Sequence, residues 1–267
     1  MVPTGSVVMM AVNAVLGIAV PVVLAWWLVK KHHANVNTIL IGAGVFFVFA
    51  LLLEPMLHQV VLKGPHGATI TGNVWYYALY GGLAAGIFEE TGRFLAMKFL
   101  LKKEPAGAIT PVAYGMGHGG LEMIMIFGLA MISNLALSAM INAGQMDTLL
   151  SASPADARGQ LETQLSQLET VGIGALAMGL WERASALILQ LGLSVMVWAA
   201  VRRGGKWLWL FPAAILLHAL VDGVAVILSK SVPLWATETV ILAMALSVGA
   251  IGYLLGRTLN RDATSAL

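Results

Sequence analysis

Apolar residues run along the chain in seven long blocks separated by short polar or basic stretches. The pattern predicts helices over roughly 4–29, 37–60, 72–100, 111–141, 171–200, 206–229 and 232–256, each long enough for the ~20 residues that cross ~30 Å of hydrocarbon. The first block ends in Trp26 and Trp27, followed by Lys30 and Lys31. An aromatic belt with a basic stop, and no basic segment ahead of it, predicts a transmembrane helix and not a cleaved signal. One long polar stretch, 142–170, interrupts the pattern. Its start, 142–158, is rich in Ser, Ala, Pro and Asp and reads as loop. From Ala157 onward, Leu161, Leu165 and Leu168 recur at helical spacing among Glu, Gln and Ser, predicting a short amphipathic helix at the outer interface. The expected fold is all-α: a polytopic membrane helical bundle of seven transmembrane helices, eight if the 157–170 stretch counts. Residues 1–267 form a single integral membrane domain in this reading, and 142–170 its extramembrane loop.

Composition strengthens the membrane reading. The chain is 59% hydrophobic and 10% charged, with a mean hydropathy of +0.85 at 28.2 kDa, leaving too little polar surface for a soluble protein of this size. With the N-terminus outside, the cytoplasmic loops hold Lys30, Lys31, Lys102, Lys103, Arg202, Arg203 and Lys206, and the tail adds Arg257 and Arg261. Only Lys63, Arg158 and Lys230 lie near the other side. The positive-inside rule therefore predicts a multi-pass protein of the cell inner membrane with a cytoplasmic C-terminus. The absence of cysteine excludes disulfides, thiol nucleophiles and cysteine-ligated metals. No phosphate-binding glycine motif or nucleic-acid signature is visible, so the bilayer is an expected partner and nucleic acid is not.

The chemistry lies in the exceptions to the apolar pattern. Glu89, Glu90 and Arg93 interrupt the third block, His118 and Glu122 the fourth, and His218 and Asp222 the sixth. Each costs roughly 2.5–3.5 kcal/mol to place facing lipid, so these groups are expected to face one another or a wet cavity. Counted at about 1.5 Å per residue, Glu89, His118 and His218 all fall about 12–18 Å from the cytoplasmic side. His118 with Glu122, His218 with Asp222, and Glu89 with Arg93 are each four apart and share a helical face. Glu90 points about 100° from Glu89 and needs a partner of its own. A carboxylate and an imidazole that reach one water form a sufficient hydrolytic base, and a second imidazole can stabilise an oxyanion. Hydrogen-bonded pairs that fix helix register, or a proton relay in a transporter, use the same residues. Glu54 with His58 on the second block, and Glu182 with Arg183 on the fifth, read as structural or cavity-lining groups, Glu54 as a partner of Arg93 or Arg183.

The strings Glu-Glu-Thr-Gly-Arg (89–93), Gly-His-Gly-Gly-Leu-Glu (117–122) and Leu-His-Ala-Leu-Val-Asp (217–222) resemble the CPBP or Abi superfamily of intramembrane proteases, which includes the type II CAAX prenyl endopeptidases. They look most like its bacterial YhfC branch, in the right order over about residues 37–228. The resemblance implies an intramembrane endopeptidase, a glutamate-dependent hydrolase whose substrate is a membrane-associated, in some members prenylated, peptide or protein. By position, Glu89 and His118 would activate water, and His218 with Asp222 would stabilise the tetrahedral oxyanion. Glu90, Arg93 and Glu122 would support them. The prenyl proteases mostly carry Asn where this chain has Asp222. The expectation is no metal and no cofactor. The alternative is zinc held by Glu89, His118, His218 and Asp222. The other functional readings are a proton-coupled transporter and a non-catalytic membrane scaffold or immunity protein.

Overall fold

The structure, a computed structural model, describes residues 1–265 apart from the side chain of residue 156. Among the described residues six helices are long and apolar enough to cross a membrane: α1 (Thr4–His32), α2 (Val36–Leu62), α5 (Ile109–Asn142), α8 (Ile173–Arg203), α9 (Gly205–Ser231) and α10 (Leu234–Ser265). Between them lie α3 (Gly67–Thr71), α4 (Val74–Leu95), α6 (Met146–Ala152) and α7 (Ala155–Thr170). The described chain is all-α. The third apolar block is α4, whose 22 residues continue into a π-helical turn, Ala96–Leu100. It is long enough to span, but Glu89, Glu90, Arg93 and Lys98 keep it out of the six that qualify by length and composition. Within 142–158, expected as loop, the chain forms α6 and the first turn of α7. Pro154, which cannot continue α6, separates the two.

Two compact units can be distinguished, a smaller one of residues 1–20 with 123–183 and a larger one of 21–122 with 184–267. In the smaller unit Leu165 and Leu168 of α7 are buried against Val2, Met10, Ile141 and Leu176. The leucine stripe read as amphipathic thus lies against the unit's own core.

The larger unit is built around α8, where residues 192–200 are all buried. Such a segment, apolar but for Ser194, whose hydroxyl donates to the Gln190 carbonyl, is buried on every side only when surrounded by other helices. Asn35 and Asn73 start α2 and α4 by accepting from the backbone N–H groups of Asn37 and Trp75, each at 2.9 Å. Two glycines set the close approaches that position the site. A Cβ on Gly82 of α4 would sit 2.3 Å from the Ala219 carbonyl oxygen of α9. One on Gly117 of α5 would sit 1.8 Å from the Ile39 carbonyl oxygen of α2. Only glycine allows backbones this near, as at the small-residue contacts of membrane helices. π-helical segments run over Phe47–Leu53, just before Glu54, and Met123–Gly128, just after Glu122.

Candidate functional site

Every polar group described below belongs to the larger unit unless stated. α4 brings Glu89, Glu90 and Arg93, α5 brings Tyr114, His118 and Glu122, α8 brings Gln190, and α9 brings His218 and Asp222. Glu89, Glu90, Arg93, His118, Glu122, Gln190 and His218 are all buried. Asp222 is the open member, its side chain 38% exposed.

Two carboxylate–imidazole pairs stand side by side. His118 Nε2 lies 2.8 Å from Glu89 Oε2, and His218 Nδ1 lies 2.9 Å from Glu90 Oε1. Adjacent glutamates on one helix diverge by about 100°, so each meets a different neighbour. Glu89 turns to α5 and Glu90 to α9. Arg93, one turn along α4, donates to Glu90 Oε1 and, through its other terminal nitrogen, to Gln190 Oε1. Gln190 Nε2 in turn donates to Glu89 Oε2 and to Glu122 Oε2, both at 2.9 Å. Gln190 thus links the guanidinium on one side to two carboxylates on the other. His218 Nε2 sits 3.6 Å from Asp222 Oδ2.

The His118 ring is clamped by Phe46, edge-on at 5.2 Å, and by Tyr114, stacked at 6.1 Å. Its Nδ1 is buried with no hydrogen-bond partner among the described residues, as is Tyr114 Oη. Buried polar atoms of native proteins are nearly always bonded, so these two are available to a water or a substrate carbonyl.

The residues flagged in sequence fall into three places. Glu89, Glu90, Arg93, His118, Glu122, His218 and Asp222 form the connected cluster just described. Glu54 does not pair with Arg93, whose terminal nitrogens go to Glu90 and Gln190. Its Oε1 lies 3.3 Å from His58 Nε2, one helical turn away on the same face. His58 Nδ1 then reaches Tyr80 Oη at 2.8 Å, giving a Glu54–His58–Tyr80 chain between α2 and α4. Glu182 and Arg183 lie in the smaller unit, where the Arg183 guanidinium bonds its neighbour's carboxylate. Of the residues that join these groups, the apolar and charge pattern does not mark Gln190. The available signal was Gln190 itself, a lone amide within Leu-Ile-Leu-Gln-Leu-Gly-Leu, where polarity needs a partner as surely as charge does.

The family model described as YhfC intramembrane metalloprotease matches residues 16–244. A Bacillus subtilis (strain 168) protein called "Uncharacterized membrane protein YhfC" is 36% identical over 233 residues, covering 87% of this chain and 88% of that relative. No solved structure matches the chain. The family's description implies a metal ion, so the donor set can be tested against one. Among the described residues no three of His, Cys, Asp and Glu converge to ligate a metal. Each imidazole instead already faces a carboxylate, His118 facing Glu89 and His218 facing Glu90. As arranged, these residues do not fit a metal site.

Proposed function

The chain belongs to the YhfC family of intramembrane proteases, and on that premise we propose that it is an endopeptidase that cleaves a membrane-associated peptide by water activated at Glu89 and His118. The observation that carries the reading is the 2.8 Å contact between these two side chains from different helices, braced by Gln190 and Arg93. A carboxylate and an imidazole sharing one proton can take a second from a water within reach of the pair. The resulting hydroxide adds to the scissile carbonyl carbon, and the carbonyl electrons move onto oxygen. His218, oriented through Nδ1 by Glu90, presents Nε2 toward Asp222 and toward that oxyanion. Collapse of the tetrahedral intermediate breaks the C–N bond, and the proton taken from water passes to the departing amine.

Seven membrane crossings, with α4 the seventh, complete the proposal. The length of α4 supports it, and its charged groups are taken up by the cluster. The basic clusters at 30–31, 102–103, 202–206 and 257–261 support an orientation with the N-terminus outside and the C-terminus in the cytoplasm.

The deciding experiment is cleavage of membrane-peptide libraries by purified protein, with products read by mass spectrometry. Glu89→Gln and His118→Ala should each lower turnover at least about 10²-fold, the usual contribution of general-base action, with helicity and expression unchanged. Full turnover in folded Glu89→Gln would defeat this mechanism. Absence of any product, together with proton-dependent flux in liposomes, would support a carrier in its place.

A further inference from the structure

A second charged feature lies apart from the polar cluster, where α4 and α8 end and α10 runs past them. Lys98 sits on the π-helical turn that closes α4, and Lys102 on the bend after it. Arg202 and Arg203 occupy the last turn of α8. Together with Asp262 of α10 they line a cavity of about 370 Å³. All of it belongs to the larger unit.

Its charges do not cancel. Arg203 is neutralised: Nε and a terminal nitrogen bond Asp262 Oδ2 at 3.0 and 2.5 Å, and the same terminal nitrogen bonds Thr258 Oγ1 at 2.8 Å. Lys98, Lys102 and Arg202 have no carboxylate in ion-pair range among the described residues, and Asp262 is the one acidic residue lining the cavity. Arg202 is nevertheless held in place. One terminal nitrogen donates to the Lys102 carbonyl at 3.0 Å, and the guanidinium lies 5.0 Å above the Trp198 ring. A cation so restrained loses little freedom on meeting an anion. The rest of the lining is apolar, from Met97, Val201, Leu259 and Ala263. Positive-inside bias accounts for basic residues at helix ends. It does not require three uncompensated cations around one apolar-floored cavity.

We propose that this cavity binds the phosphate headgroup of an anionic phospholipid, with the lysines and Arg202 on the phosphate and the apolar floor under the glycerol and first acyl carbons. Inorganic phosphate shares the anionic chemistry but would leave that floor unused, which favours the lipid as the source. Basic pockets between membrane helices recognise headgroups in this way. The site is independent of the proteolytic reading.

Native mass spectrometry of the detergent-purified full chain, titrated with phosphatidylglycerol or phosphatidylcholine, tests the assignment. The first phosphatidylglycerol should bind at least about tenfold more tightly than phosphatidylcholine, an attraction of about one basic side chain or more at an anionic surface. Lys98→Gln combined with Lys102→Gln should weaken it roughly 30-fold, and Arg202→Gln alone roughly fivefold or more, on the same per-residue scale. Lys30→Gln with Lys31→Gln, which removes a basic pair at the end of α1, should leave the preference intact, and millimolar inorganic phosphate should not displace the lipid. Equal binding of the two lipids would overturn the site, and so would a preference untouched by the Lys98, Lys102 and Arg202 substitutions. An equal loss in the Lys30 and Lys31 variant would reduce it to general surface charge. Displacement by inorganic phosphate would reassign it to a free anion.

Discussion

Gln190 makes the polar cluster depend on a neutral side chain. Its amide offers one acceptor, used by Arg93, and its Nε2 serves both Glu89 and Glu122. Leucine has nearly the same volume and none of these bonds. Gln190→Leu should therefore lower stability by about 1–3 kcal/mol or more, since buried charged groups lose a hydrogen bond, and thermal unfolding in detergent would register the drop. It should also reduce kcat more than KM, because the carboxylate proposed to activate water is no longer held. Asp222 calls for a different test. As an oxyanion partner it donates only when protonated, whereas an amide donates at every pH. Asp222→Asn should thus retain or raise activity at neutral pH, with no stoichiometric zinc found by elemental analysis of the parent protein. A tightly bound zinc lost in His118→Ala and His218→Ala would assign the ligand role instead, because a metal-bound carboxylate must be ionised.

At the scale of elements, the site exists because α4 lies close to α9 and α2 close to α5. The Gly82 and Gly117 contacts are backbone-tight, so an added methyl cannot be absorbed by turning a side chain. Gly82→Ala should push α9 away from α4 and lengthen the reach from Glu90 to His218. The expected result is about 1–3 kcal/mol of overpacking cost and a loss of turnover out of proportion to it, since a misplacement near 1 Å can cost about 10²-fold. Gly44 and Gly81, which have nothing within 4 Å of an added Cβ, are the controls. Alanine at either should leave melting temperature and activity near the parent values.

For the whole molecule, the prediction concerns orientation across the bilayer. The chain has no cysteine, so single cysteines can be introduced without background. One near position 150 should react with an impermeant maleimide added to intact cells, and one at position 32 only after permeabilisation. Labelling of position 32 from outside would reverse the topology. Much of this architecture was legible in the amino-acid order, because lipid imposes its own arithmetic: a spanning helix must be long and apolar, and a charge inside it must find a partner. That constraint marked Glu89, His118 and His218 and set them at one depth. It is weakest where lipid imposes nothing, so the pattern predicts loop over α6 and the start of α7 and does not mark Gln190, polar but uncharged. Which group meets which was decided only by tertiary packing. His118 could have turned to Glu122, four residues away on its own helix, yet it meets Glu89 across 29 residues, and His218 meets Glu90 across 128. Spacing along one helix determines which side chains share a face. The glycine contacts between helices determine what that face meets.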